Sequence, residues 1–212
     1  MRYLILIIFL FILASCQQGQ LSDKLQGKQL DLPDSTSSWY AKQFDFQYYN
    51  RIKVVQNDIN LLDLKIDTSE FEIRIWSFGA LYSPHSVYQI RSRDGRYNIS
   101  KISFNSAFLT NDSNAVSRIL DIHEKSISSV EFETFNYNQL GDLKSQGSLV
   151  NGEKFGCVDG TAQIIDLSSR TRYKYLFYMC PEFHITKDST IRKANQFINN
   201  VVTYYSESQV WY

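Results

Sequence analysis

Residues able to do chemistry are thinly spread along this 212-residue chain, and their spacing limits what they could do. The histidines, His85, His123 and His184, lie far apart, and none stands in an H-x-H or H-E-x-x-H pattern. Zinc proteases place two histidines one helical turn apart so that both reach one ion. Here His123-Glu124 is followed by Ile127 where the second histidine would stand, so no metal site is expected. No G-x-S-x-G, no S-x-x-K and no cysteine beside a base offers an activated nucleophile. Glu70 with Glu72, and Glu131 with Glu133, are paired carboxylates of the kind a glycosidase needs, yet any exposed strand or helix face carries such pairs. Neither phosphate-cradling glycine motif is present, and no cofactor is expected.

Two stretches could bind rather than react. Arg91, Arg93 and Arg96 surround Asp94-Gly95 and could form an anion-recognising tip for lipid head groups or an acidic glycan. The plainer reading is a solvated, charge-protected hairpin end. Residues 76–85, WSFGALYSPH, carry Trp76, Tyr82 and His85 in an aromatic run, a composition that grips sugars or peptides on a rigid scaffold. Local core packing is the plainer reading here too. A ligand surface, if present, is expected where this loop leaves its strand.

The N-terminus carries a sharper signal. Arg2 precedes an unbroken apolar run from Tyr3 to Leu13, shorter than the about 20 residues a spanning helix needs. Charge, apolar core and small residues in that order are the anatomy of a secretory signal peptide. The ending Leu13-Ala14-Ser15-Cys16 resembles the lipobox of bacterial lipoproteins at all four positions. The resemblance implies that residues 1–15 are removed and that Cys16 carries a diacylglycerol thioether, with its new amino group acylated, as by palmitate. Two such chains already hold a protein stably at a bilayer. Gln17 rather than Asp follows Cys16, which by the enteric sorting rule implies the outer membrane. No acidic cluster of the surface-export kind follows, so the periplasmic leaflet is expected.

Composition narrows the remaining classes. Lys plus Arg and Asp plus Glu both number 22, and 43% of residues are apolar, which argues against disorder and against charge-driven nucleic-acid binding. Residues 16–36 contain Gly19, Gly27 and Pro33 but no aromatic, and read as a lipidated cysteine and flexible tether. Residues 37–212 show no break and read as one globular domain.

Elements that must position these groups follow from periodicity. Phe71, Ile73 and Ile75 alternate with Glu72, Arg74 and Trp76, which predicts a strand. Val87–Ser92 and Arg96–Phe104 flank Asp94-Gly95, a strong hairpin signal, and the switch of apolar phase from Ile99 to Ile102 suggests a bulge. Val116–Ile122 reads as a further strand, and Thr161–Leu167 with Arg172–Cys180 as a second hairpin. Ile191, Ala194, Ile198, Val201, Val202 and Tyr205 trace one face of a C-terminal helix capped by Asp188 or Ser189. Ser128-x-x-Glu131 has capping-box form and starts a helix running towards Leu143. Residues 38–52 fit a helix, with a strand as the alternative. The expected fold is α+β, an antiparallel sheet of hairpins packed by helices, with a β-sandwich as the alternative.

Cys157 and Cys180 complete the inventory. Export would place them in an oxidising compartment, where they read as a disulfide, with two buried thiols as the alternative. A two-residue Ser168-Ser169 loop would set them directly opposite each other. The function these features imply is a membrane-anchored envelope lipoprotein with a non-catalytic binding or structural role and an envelope protein or glycan as partner. An envelope-polymer hydrolase and an immunity- or inhibitor-type interaction module are the alternatives.

Overall fold

Alternating apolar residues and tight turns build a single sheet. In the computed structural model, which describes residues 28–33, 44–65, 70–79, 84–105, 116–149, 157 and 160–207, seven strands hydrogen-bond in the order β1-β7-β6-β2-β3-β4-β5. They are β1 (Gln29–Asp31), β2 (Phe71–Phe78), β3 (His85–Arg93), β4 (Arg96–Asn105), β5 (Arg118–Ile127), β6 (Ala162–Ser169) and β7 (Arg172–Met179). β1 runs parallel to β7; every other neighbour is antiparallel. The fold is therefore α+β with a mixed sheet, and no second sheet makes a sandwich among the described residues. The signal segment with Cys16, tether residues 17–27 and 34–36, and Tyr82 lie outside those residues.

Turn chemistry sets the register. Asp94 and Gly95 both take positive φ, 52° and 71°, as a two-residue type I′ hairpin requires. The second hairpin turns two residues later than expected: Ser169 closes on Arg172 around Arg170-Thr171, with the Ser169 hydroxyl accepting the Arg172 N–H at 3.1 Å. The phase switch in β4 is not a bulge, because β3 and β4 pair without interruption. Ile99 belongs to the core on one face and Ile102 and Phe104 to the core on the other. The bulge lies across the next ladder, where Leu120 of β5 is the extra residue.

Helices cover both faces. Helix α1 (Phe46–Asp58) buries Tyr49, Ile52 and Val55 against Trp76, Val87 and Phe177. It runs past the predicted end at 52 and stops where Asn60 takes a left-handed conformation, while residues 38–43 of the predicted helix lie outside the described residues. On the opposite face sit α2 (Ser129–Thr134) and α3 (Ser189–Glu207). The Ser128–Glu131 capping box forms as expected, but the helix stops at Thr134 because Asn136 turns left-handed, and residues 137–142 continue as a 3₁₀ helix. Asp188 caps α3 by accepting the Thr190 and Ile191 N–H groups. Ile191, Ala194, Ile198, Val201 and Tyr205 are buried as predicted, with Phe197 added. No helix of the described residues is long and apolar enough to cross a membrane.

Two corrections concern the chain ends of the sheet. Residues 28–33, assigned by composition to the tether, belong to the domain. β1 extends the sheet, and Lys28 is buried with its ammonium donating to the Leu64 carbonyl at 2.8 Å and the Ser168 hydroxyl at 2.7 Å. The Cys157–Cys180 disulfide is present, with Cα atoms 6.3 Å apart. It does not join facing residues of the hairpin. Cys180, one residue beyond the end of β7, donates its N–H to Thr161 O, and Cys157 precedes β6. A Cβ on Gly160 would lie 1.7 Å from Cys180 Sγ and 2.1 Å from Cys157 Sγ, so only glycine fits beneath the bridge.

Candidate functional site

A concavity forms where β1, the start of α1 and the 3₁₀ segment after α2 meet the edge of β7. It is a groove of about 510 Å³ whose lining includes Asp31, Asp45, Ser145, Arg172, Lys174 and Tyr175. Asp45 is only 1% exposed; its Oδ2 accepts the Ser145 hydroxyl at 2.7 Å, and its backbone carbonyl accepts the Tyr175 hydroxyl at 3.0 Å. Burial lifts the Asp45 carboxyl to about 7, against the opposing pull of the Ser145 hydroxyl and the Gly147 amide. Ser145 also accepts the Phe177 N–H at 2.9 Å, so its oxygen is held to the sheet. Lys174 is buried as well, donating to Gly141 O at 2.8 Å with Asp31 3.4 Å away, and burial pulls its pKa below the ordinary lysine value. The groove lining thus includes a carboxyl able to exchange a proton near neutrality and a desolvated ammonium.

Behind the groove runs a buried polar stripe on the α1 face. Glu72, placed by sequence among exposed carboxylate pairs, is fully buried, accepting Arg74 Nε at 2.6 Å, Arg91 Nε at 3.0 Å and the Gln89 amide. The correction has a simple cause: the stripe lies on the second covered face, where alternation no longer means solvent. Asp166 accepts Trp76 Nε1 at 2.8 Å and the Tyr173 hydroxyl at 2.7 Å, and burial raises its pKa. These groups are bonded to one another inside the sheet and serve to hold it.

Of the singled-out aromatic stretch, Trp76, Phe78 and His85 are buried, as the core-packing reading expects. Trp76 is fully buried in the α1 core, and His85 sits between the Phe78 and Phe104 rings at 5.4 and 5.7 Å. Burial lowers the His85 pKa, and neither of its ring nitrogens has a hydrogen-bond partner among the described residues. His123 is exposed beside Asp121, and His184 is buried elsewhere. The three histidines do not converge, and no group of three or more metal-ligating side chains occurs among the described residues. Arg91, Arg93 and Arg96 do come together, lining a cavity of about 260 Å³ with Asp94 and Asn98 at the β3–β4 turn.

Sequence reading missed both the groove and the open sheet edge. Asp45, Ser145 and Lys174 are far apart in the chain and share no motif. The edge is β5, whose residues from Arg118 to Glu124 are all exposed, with Ile119, Leu120 and Ile122 between 40% and 53% accessible. An apolar strand reads the same from sequence whether or not a neighbour covers it. No protein-family model matches the chain, and no curated protein matches it.

Proposed function

We propose that this protein is an exported, lipid-anchored module of the bacterial envelope that binds a protein partner along β5 without catalysis of its own. The lipid on Cys16 would hold it at the outer membrane, facing the periplasm. One observation carries the reading: on the side away from β4, the ten residues of β5 have no neighbouring strand among the described residues, and three of their aliphatic side chains are exposed. Such an edge offers backbone hydrogen bonds to an extended segment of a partner, while alternate side-chain sites select it. The opposite edge strand, β1, has only three residues, closed by Asp31 and followed by Pro33, features that discourage pairing.

In-cell photocrosslinking of the full lipidated chain tests this. A photoactivatable residue replacing Ile122 should capture one envelope protein, and the same residue replacing the exposed Lys193 of α3 should not. Capture from position 193 and none from 122 would sink the reading.

A hydrolase of envelope polymers is the second reading, favoured by Asp45 in its groove. Release of soluble fragments from cell-wall polymer by the wild type and not by Asp45→Asn would establish it instead.

A further inference from the structure

Following each strand from end to end places three features on one side of the molecule. β1 begins beside Arg172, the first residue of β7. The β6–β7 turn with Arg170 lies at that same end, because Phe71 of β2 pairs with Ser169. Phe71 also pairs with Ser92, which brings the β3–β4 turn, Arg93 to Arg96, to the same end. The point where the chain arrives from Cys16 and the arginine tip therefore share one pole of the sheet. Eleven residues separate Cys16 from Lys28, and a fully extended chain of that length reaches at most about 40 Å.

The β3–β4 tip at that pole carries a local positive excess although the whole chain is neutral. Around the β3–β4 turn, Arg74, Arg91, Arg93 and Arg96 stand against two carboxylates, Glu72 and Asp94. Glu72 is shared by Arg74 and Arg91 and is buried. Arg93 meets Asp94 only at 3.9 Å with both side chains more than 80% exposed, a weak, screened pair. Arg96 has no ion-pair partner among the described residues. At the neighbouring turn Arg170 is neutralised by Glu70 at 2.7 Å, so the excess belongs to the β3–β4 hairpin.

We infer that this hairpin docks on the anionic phospholipid surface to which the chain is anchored, with the sheet standing end-on to the membrane. The inference rests on the lipid-anchor reading. Guanidinium groups pair with lipid phosphates in forked geometry, and the concave surface between Arg91, Arg93 and Arg96 presents three of them together. Docking at this pole turns β5 sideways, open to a partner moving in the same membrane.

The test uses the lipidated full chain on vesicles. Cys157 and Cys180 are joined and Cys16 would carry lipid, so Asp94→Cys adds one labelling site for a fluorophore. Head-group quenchers should quench that label on phosphatidylcholine vesicles containing phosphatidylglycerol and not on phosphatidylcholine alone. Each arginine near an anionic surface strengthens binding roughly fivefold, so adding Arg93→Glu and Arg96→Glu should weaken the quenching by tenfold or more. A label at Arg118→Cys, at the other end of β5, should stay unquenched. Retention on vesicles with equal quenching on neutral lipid, or at position 118, overturns the docking and leaves the anchor intact. Failure to be retained on either vesicle overturns the anchor and the docking together.

Discussion

Asp45 behaves as its spatial surroundings dictate. Its carboxyl moves from the usual 3.8 to about 7 in the folded protein because burial penalises the charged form. Between about pH 4 and 7 the unfolded chain ionises this group while the folded chain keeps its proton. Its contribution is therefore complete below that window and lost as pH rises through it. His85 works the other way, since burial lowers its pKa and stability is lost as pH falls below its ordinary 6.5. Comparing Asp45→Asn with the wild type isolates the carboxyl: the variant should gain a few kcal/mol relative to wild type between about pH 4.5 and 8, read from urea midpoints. Parallel pH profiles would refute the assignment. Gly160 makes a steric demand of the same local kind. In Gly160→Ala a methyl group would occupy the space of both sulfurs, so thiol labelling of the denatured, unreduced protein should find two more free thiols than in the wild type.

Among the elements, β1 is where composition and structure part. Residues 17–36 look uniform in sequence, yet Gln29–Asp31 add a parallel strand and Lys28 plugs into a buried pair of acceptors. Lys28→Ala would leave Leu64 O and Ser168 Oγ without their ammonium partner. Losing a charge-assisted, buried bond costs about 1–3 kcal/mol, and the thermal midpoint should fall by several degrees. An unchanged midpoint would return residue 28 to the tether. The helix after Ser128 teaches a related lesson. Its capping box was legible because it is a four-residue device, whereas its end was not, because Asn136 in a left-handed conformation carries no periodic signal.

At the scale of the molecule, a sheet with helices on both faces explains the remaining differences. Where one face is wet, alternation separates buried from exposed residues; here Glu72 and Arg74 alternate with Ile73 and all three are buried. The same architecture leaves β5 as the long open edge and gathers the arginine hairpin at the pole where the chain arrives. Short-range chemistry was readable from the chain alone: the Asp94-Gly95 turn, the Ser128–Glu131 and Asp188 caps, the α+β class and the cysteine pair. The local devices depend on residues within a few positions of one another, and the cysteine pair followed from setting Cys16 aside for lipid. Tertiary structure alone decided that Asp45, Ser145 and Lys174 share a groove, that Trp76 and His85 face inward, and that no described strand pairs with the outer edge of β5. Burial and its electrostatic consequences depend on which distant segments meet, and no local pattern in the chain encodes that.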